Sequence, residues 1–338
     1  MPTSNLSRFL IFGQLQRDFI LPPSGIPFLD QPGGSLLYAA AGLRVWENEI
    51  GLVAHIGEDY PQAWIGQLHP YDIDTSGIEV LPEAMDVRHF LAYEDLNTRT
   101  SENPVEHFVK LELPIPRVLL GYKAPILLID SRARSTSTTL RIKDVPGAYL
   151  DANAAHFCPG DYLTHSLLPS ALRVNSAITL SMDAGEGYMN PSFWDDMPAM
   201  LNNLTVFHTN EEKIRSLFQG KSTDLWEMAE TIASYGCEIV VIKRGAGGQY
   251  VYNEPNKNRW IVPAYPARII DPTGAGDAFC GGFLAGYHQT YDALQADLYG
   301  NIAASLCVEG SGPLYALDAM PGLAQARLEA LKGMVRKA

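Results

Sequence analysis

Apolar strand-like runs recur along this chain with helix-like stretches between them, and that alternation limits the fold more than any other feature. Arg8–Gly13 (RFLIFG), Ile50–Ile56 (IGLVAHI), Pro125–Asp130, Ala177–Met182, Thr205–His208 and Glu238–Lys243 each read as a core strand. Ser35–Trp46 and Tyr60–His69 read as helices. Strands that alternate with helices build a largely parallel sheet covered on both faces. The expected class is therefore α/β, in three layers. Two segments break the rhythm. Residues 19–32 are Pro-rich, and residues 86–118 hold two strand-like runs, Arg88–Tyr93 and Glu106–Leu111, joined by a polar loop. These segments are expected to form a small β-sheet protruding from one domain that spans 1–338.

Composition removes several function classes. Of 338 residues, 46% are apolar, enough for a large core. There are 38 acidic against 25 basic side chains, a formal net charge of −13. Such a surface repels nucleic-acid phosphates and anionic lipid heads, so neither partner is expected. An anionic ligand stays open, because a local basic patch or a helix N-terminus overrides the global field. Cys158, Cys237, Cys280 and Cys307 form no CxxC or zinc-like spacing. The histidines form no HExxH pattern. No uncharged apolar run approaches the roughly 18 residues of a membrane helix, and the N-terminus lacks a signal-peptide pattern. A reduced, cytoplasmic setting is the simplest expectation.

The stretch Asp271–Gly286, DPTGAGDAFCGGFLAG, carries the chemistry. Pro272, Gly274 and Gly276 punctuate a turn, and Phe279, Phe283 and Tyr287 then follow helical spacing. Gly281, Gly282 and Gly286 each cost a helix about 1 kcal/mol relative to alanine, so something must approach that helix closely. A Gly-Ala-Gly turn opening a helix presents unpaired amides at the positive end of the dipole. Asp277 lies in the first turn beside them. An acid there is a favourable dipole partner at any helix start. It also suits a phosphoryl-transfer site, where the amides take the charge and the carboxylate takes a proton from the attacking hydroxyl.

The string DPTGAGDAF closely resembles the C-terminal signature of the ribokinase (PfkB) family of carbohydrate kinases, and the resemblance runs from about residue 8 to residue 315. It implies a ribokinase-like sandwich whose small β-sheet is a lid formed by segments of about 19–32 and 86–118. By the same resemblance Asp277 is the base, and Gly274, Ala275 and Gly276 form the anion hole. Gln16, Asp18, Gly33, Gly34 and Tyr38 would meet the acceptor. Asn210, Lys243, Arg244, Gly245, Gly248 and Asn301 would meet the nucleotide. Asp271 and Thr273 would hold a monovalent cation, K+. The implied cosubstrate and metal are ATP and Mg2+, and the implied partner is a small-molecule alcohol, a sugar or a nucleoside. Lid strands with open edges also allow a homodimer.

Three positions depart from the family pattern. Tyr38 stands where an asparagine usually contacts the sugar, and Gln16 stands where asparagine is common. Lys213 replaces the glutamate of the Asn-x-x-Glu element that begins at Asn210. A tyrosine at 38 adds a stacking surface that would suit a nucleoside base. Glu211, Glu212 or Lys213 itself would then serve the phosphates and magnesium. The Arg244–Gly248 run (RGAGG) lacks P-loop spacing and reads as a hairpin turn.

Overall fold

The computed structural model describes residues 9–96, 98–125, 129–174, 179–202, 204–334 and 336–337. Strands β1 (Phe9–Phe12), β2 (Gln16–Leu21), β3 (Phe28–Gly33), β4 (Ile50–Gly57), β5 (Ile73–Leu81), β6 (Arg88–Tyr93) and β7 (Arg99–Thr100) occupy the first part of the chain. The second part holds β8 (Ala154–Phe157), β9 (Thr179–Asp183), β10 (Val206–Asn210), β11 (Ile239–Lys243), β12 (Gln249–Asn253), β13 (Asn258–Val262) and β14 (Arg336–Lys337). Ten strands form one sheet in the order β14-β13-β12-β11-β10-β9-β8-β1-β4-β5. Pairing is parallel from β11 to β5 and antiparallel from β11 to β14.

Successive side chains on a strand point to opposite faces, and β1 shows how this builds three layers. Leu10 and Phe12 join a core with Leu168, Ile214, Leu217 and Ile232, whereas Phe9 and Ile11 join one with Leu36, Leu43 and Leu284. Helices Tyr162–Arg173, Glu211–Leu217 and Leu225–Ser234 thus cover one face, and helices Ser35–Arg44 and Ala275–Thr290 cover the other. The α/β expectation holds. A second sheet, in the order β3-β2-β6-β7, stands apart from the first. No helix among the described residues is long and apolar enough to cross a membrane.

The costly glycines of helix Ala275–Thr290 are explained by neighbouring helices. A Cβ on Gly281 would lie 1.9 Å from the Ala39 carbonyl, and one on Gly282 would lie 2.6 Å from the Ala303 Cβ. The helix is clamped between Ser35–Arg44 and Ala293–Cys307, with the Gly-Ala-Gly turn at its mouth.

One expected strand is a helix, and a second falls partly outside the described residues. Glu106–Leu111 is no strand, because residues Pro104–Lys110 form a helix. Asn103 turns into it in the left-handed region (φ 50°), Pro104 takes the first helical position, and the buried residues are Pro104 and Phe108, four apart. That spacing is helical, and β7 pairs with β6 instead. Residues 126–128 of the expected strand Pro125–Asp130 lie outside the described residues, and Ile129 and Asp130 are in no strand. The sheet position beside β1 belongs to β8, whose Ala-Ala-His-Phe carries too little strand propensity to announce itself. Edge strand β5 is also absent from the expected strands, because Asp74, Thr75, Ser76 and Gly77 break its apolar run.

Candidate active site

The turn before helix Ala275–Thr290 is built by its own side chains. Asp271 is buried, and its Oδ1 accepts the Thr273 N–H at 2.9 Å. Gly274 lies in the left-handed region (φ 73°). A Cβ there would sit 2.0 Å from the Tyr38 ring, so only glycine fits. The Ala275 amide bonds the Pro272 carbonyl at 3.3 Å, while the Gly276 and Asp277 amides have no acceptor among the described residues. The Gly274 amide has none either, so within the expected set Gly274–Gly276 only the Ala275 amide is engaged.

Strand ends bring charge to this turn. Asp183 ends β9 and Lys243 ends β11, and the Lys243 Nζ meets Asp183 Oδ2 at 2.6 Å. The same ammonium reaches the Gly276 carbonyl at 3.2 Å and Cys280 Sγ at 3.3 Å. Burial alone would raise the Asp183 carboxyl, but Lys243 and Lys213 outweigh it and hold it down at about 2. Asp277 is half-buried and goes the other way. Burial and the Asp183 charge push it up to about 6, against the pull of Lys243, Lys213 and Arg99. A carboxylate poised near neutrality beside free amides can take a proton from an alcohol.

A largely apolar cleft of about 270 Å³ opens onto this turn. Tyr265, Ile269, Phe279 and Val308 line it, together with Lys243, Gly245, Ala275, Gly276 and Asn301. Asn301 shapes its wall. Its Oδ1 accepts the Tyr265 N–H at 2.8 Å, and its Nδ2 donates to the Pro263 carbonyl at 2.8 Å. Arg244 and Gly248 lie outside the cleft lining. Arg244 pairs with Glu211 at 2.8 Å, and Gly248 (φ 77°) packs on the Val262 carbonyl in the β11–β12 hairpin. Asn210 caps helix Glu211–Leu217 by accepting the Lys213 N–H at 2.7 Å. The Lys213 ammonium reaches back to the Ala184 carbonyl at 2.7 Å.

On the other side, Asp18 of β2 is 1% exposed. Its Oδ1 lies 3.1 Å from His89 Nδ1 on β6, and its Oδ2 has no hydrogen-bond partner. A Cβ on Gly33 would overlap that Oδ2 at 1.8 Å. Gly34 (φ 96°) turns the chain into helix Ser35–Arg44, and Gln16 pairs with Gly33 across the small sheet. Tyr38 is 2% exposed, and its hydroxyl has no partner. It packs under Gly274 and offers no open stacking wall.

The structure thus joins Gln16, Asp18, Gly33, Gly34 and Tyr38 on one side, and Lys243, Gly245 and Asn301 on the other, with the 274–277 turn between them. Sequence reading missed Asp183, His89, Tyr93 and Arg99. Tyr93 of β6 meets Thr273 Oγ1 at 2.9 Å, which ties the small sheet to the turn. Only Asp183 left a trace in the sequence, as an acid that ends an apolar run just before Ala-Gly.

Known proteins share the fold. The model of the pfkB family carbohydrate kinases matches residues 162–320. A cytidine kinase of Thermococcus kodakarensis is 26% identical over 288 residues, covering 82% of this chain and 87% of its own. A fructokinase from Xylella fastidiosa, solved with bound ATP, superposes with a TM-score of 0.68 at 17% identity, covering 97% of this chain and all of its own. A nucleoside kinase from Burkholderia thailandensis, solved with inosine, superposes at 0.67 and 18% identity, covering 96% of this chain and 99% of its own. The matched segment holds Asp183, Lys243, the 274–277 turn and Asn301, and the ribokinase-like fold extends over the remainder: over that segment the chain is similar to the pfkB family of carbohydrate kinases.

Proposed function

We propose that this kinase moves the γ-phosphoryl group of ATP to a hydroxyl of a small sugar or sugar-like alcohol. One observation carries the reading. Gly276 and Lys243 line the nucleotide-sized cleft while Asp277 follows directly on the free amides. ATP would lie against Tyr265, Phe279 and Asn301, with its terminal phosphate at the Gly276 and Asp277 amides. The acceptor would lie against Asp18 and Gly33. The acceptor oxygen forms a bond to phosphorus, the bridging β–γ bond breaks, and the hydroxyl proton passes to Asp277. Residues 19–32 and 86–118 would act as a lid that excludes competing water, with Tyr93 and Arg99 closing over the turn.

Magnesium would arrive on the triphosphate, where it neutralises charge that develops between the phosphoryl groups. Asp183 Oδ1 is a buried carboxylate oxygen without a partner, and it fits such an ion. Glu211 does not, because Arg215 and Arg244 already engage it. Asp271 Oδ2, also buried without a partner, would take a monovalent cation beside Thr273.

A nucleoside acceptor is the second reading, favoured by the likeness to the cytidine kinase. It loses the stacking role of Tyr38, since that ring is covered. A turnover panel of free sugars, sugar acids and nucleosides with MgATP separates the two readings. Sugar phosphorylation with no nucleoside turnover supports the first, and the reverse pattern supports the second. No ATP consumption with any alcohol would end both.

The Asp277 carboxyl also sets a pH profile. Its pKa is raised, so the proton-accepting form is lost as pH falls through about 6. The expected kcat/KM is flat above pH 7 and falls about tenfold per unit below pH 6. A profile flat down to pH 4.5 would show that another group takes the proton.

A further inference from the structure

At the edge of the large sheet, away from the cleft, three metal-type donors converge. His55 on β4 and Glu79 on β5 are direct cross-strand partners. Asp144 ends the short helical turn Ile142–Asp144. His55 Nδ1 lies 2.7 Å from the Ser137 carbonyl. A carbonyl only accepts, so Nδ1 carries the proton and Nε2 presents a lone pair. That Nε2 is buried without a hydrogen-bond partner, on a side chain only 10% exposed. It faces Glu79 Oε2 at 3.5 Å and Asp144 Oδ2 at 3.6 Å.

Three electron-rich atoms aimed at one point repel each other unless a cation lies between them. A proton on Nε2 is a poor match, because charge-assisted N–H···O bonds run about 2.7–2.9 Å and both contacts are longer. A metal ion matches better. Bonds of about 2.0–2.2 Å in a tetrahedral shell place donors about 3.4 Å apart. All three donor atoms lie within 4.8 Å of one another. The surroundings suit a metal site as well. The Ser137 carbonyl fixes the imidazole tautomer, as a carbonyl bonded to the other ring nitrogen does for ligating histidines. The Arg141 amide donates to Asp144 Oδ2 at 2.8 Å and orients that carboxylate. Glu79, 55% exposed, leaves an open side for solvent to complete the shell.

We propose that His55, Glu79 and Asp144 bind one divalent transition-metal ion, zinc being the best match to one imidazole and two carboxylates. The ion has a structural use. Between Lys110 and Ala154 the described residues form no strand and only short helical turns. Ser137 and Asp144 belong to that segment, and the ion would pin it to β4 and β5. Thr138 and Leu140 of the same segment line a recess with Gly13, Gln14 and Gly160, so the clamp would steady the acceptor side of the molecule.

The test is calorimetric titration of the metal-free, full-length protein with Zn2+, without nucleotide, followed by thermal unfolding. One equivalent should bind and raise the unfolding midpoint by about 4 °C at a hundredfold excess over Kd. His55→Gln and Glu79→Gln should each weaken binding about a hundredfold or more, at least matching the loss of a supporting group. Glu79 is exposed, so its variant folds whatever becomes of the buried His55 variant. Absence of saturable Zn2+ binding by the parent protein would overturn the site. So would equal affinity in the Glu79→Gln protein.

Discussion

Asp277→Asn is expected to lower kcat by about 10²–10⁴, the usual contribution of a positioned base, while nucleotide affinity stays nearly unchanged. Asparagine keeps the shape of the side chain but cannot accept the hydroxyl proton. The cleft walls at Tyr265, Phe279 and Asn301 are untouched by the change. The affinity should if anything improve, because a negative charge beside the phosphates is gone. Single-turnover rates and nucleotide titrations of the same protein separate the two quantities. A kcat within twofold of the parent would remove Asp277 from the chemistry. A collapse of nucleotide affinity would make it a binding residue.

Lys243→Met should be the most damaging change to stability. The lysine ammonium meets Asp183 at 2.6 Å, with side chains 13% and 5% exposed. Removing one member of a buried pair strands the other, at about 3–5 kcal/mol. Lys213 offers only partial compensation, since its ammonium is spent on the Ala184 carbonyl. The Asp183 carboxyl, now held at about 2, would rise and take up a proton. Adding Asp183→Asn to Lys243→Met should therefore recover most of the lost stability. It should not recover activity, because Lys243 also lines the cleft. Urea unfolding of the two single variants and the double variant forms the cycle. A loss under about 1 kcal/mol for Lys243→Met would mean that the pair is open to solvent in solution.

Much of the fold was legible because the large sheet is buried on both faces. Strands such as Ile50–Gly57 and Ile239–Lys243 are then continuous apolar runs that need no partner to be recognised. Strands that rely on context were not legible. Ala154–Phe157 gains its place from β1 and β9 on either side, and Ile73–Leu81 is an edge strand with charged residues along it. The Pro104–Lys110 helix was hidden for a similar reason, since it buries only one narrow face against Phe90.

The site divides along the same line. The sequence alone determined the Gly-Ala-Gly turn, the following aspartate and the helix behind them, because all are local and backbone conformation dictates their residue types. Only the tertiary structure decided that Asp183 meets Lys243 across 60 residues, that Tyr38 lies covered under Gly274, and that His55, Glu79 and Asp144 face one another. Those pairings come from strand order and helix packing. Electrostatics and burial act through space, and a linear string of residues carries no distance between parts that folding brings together.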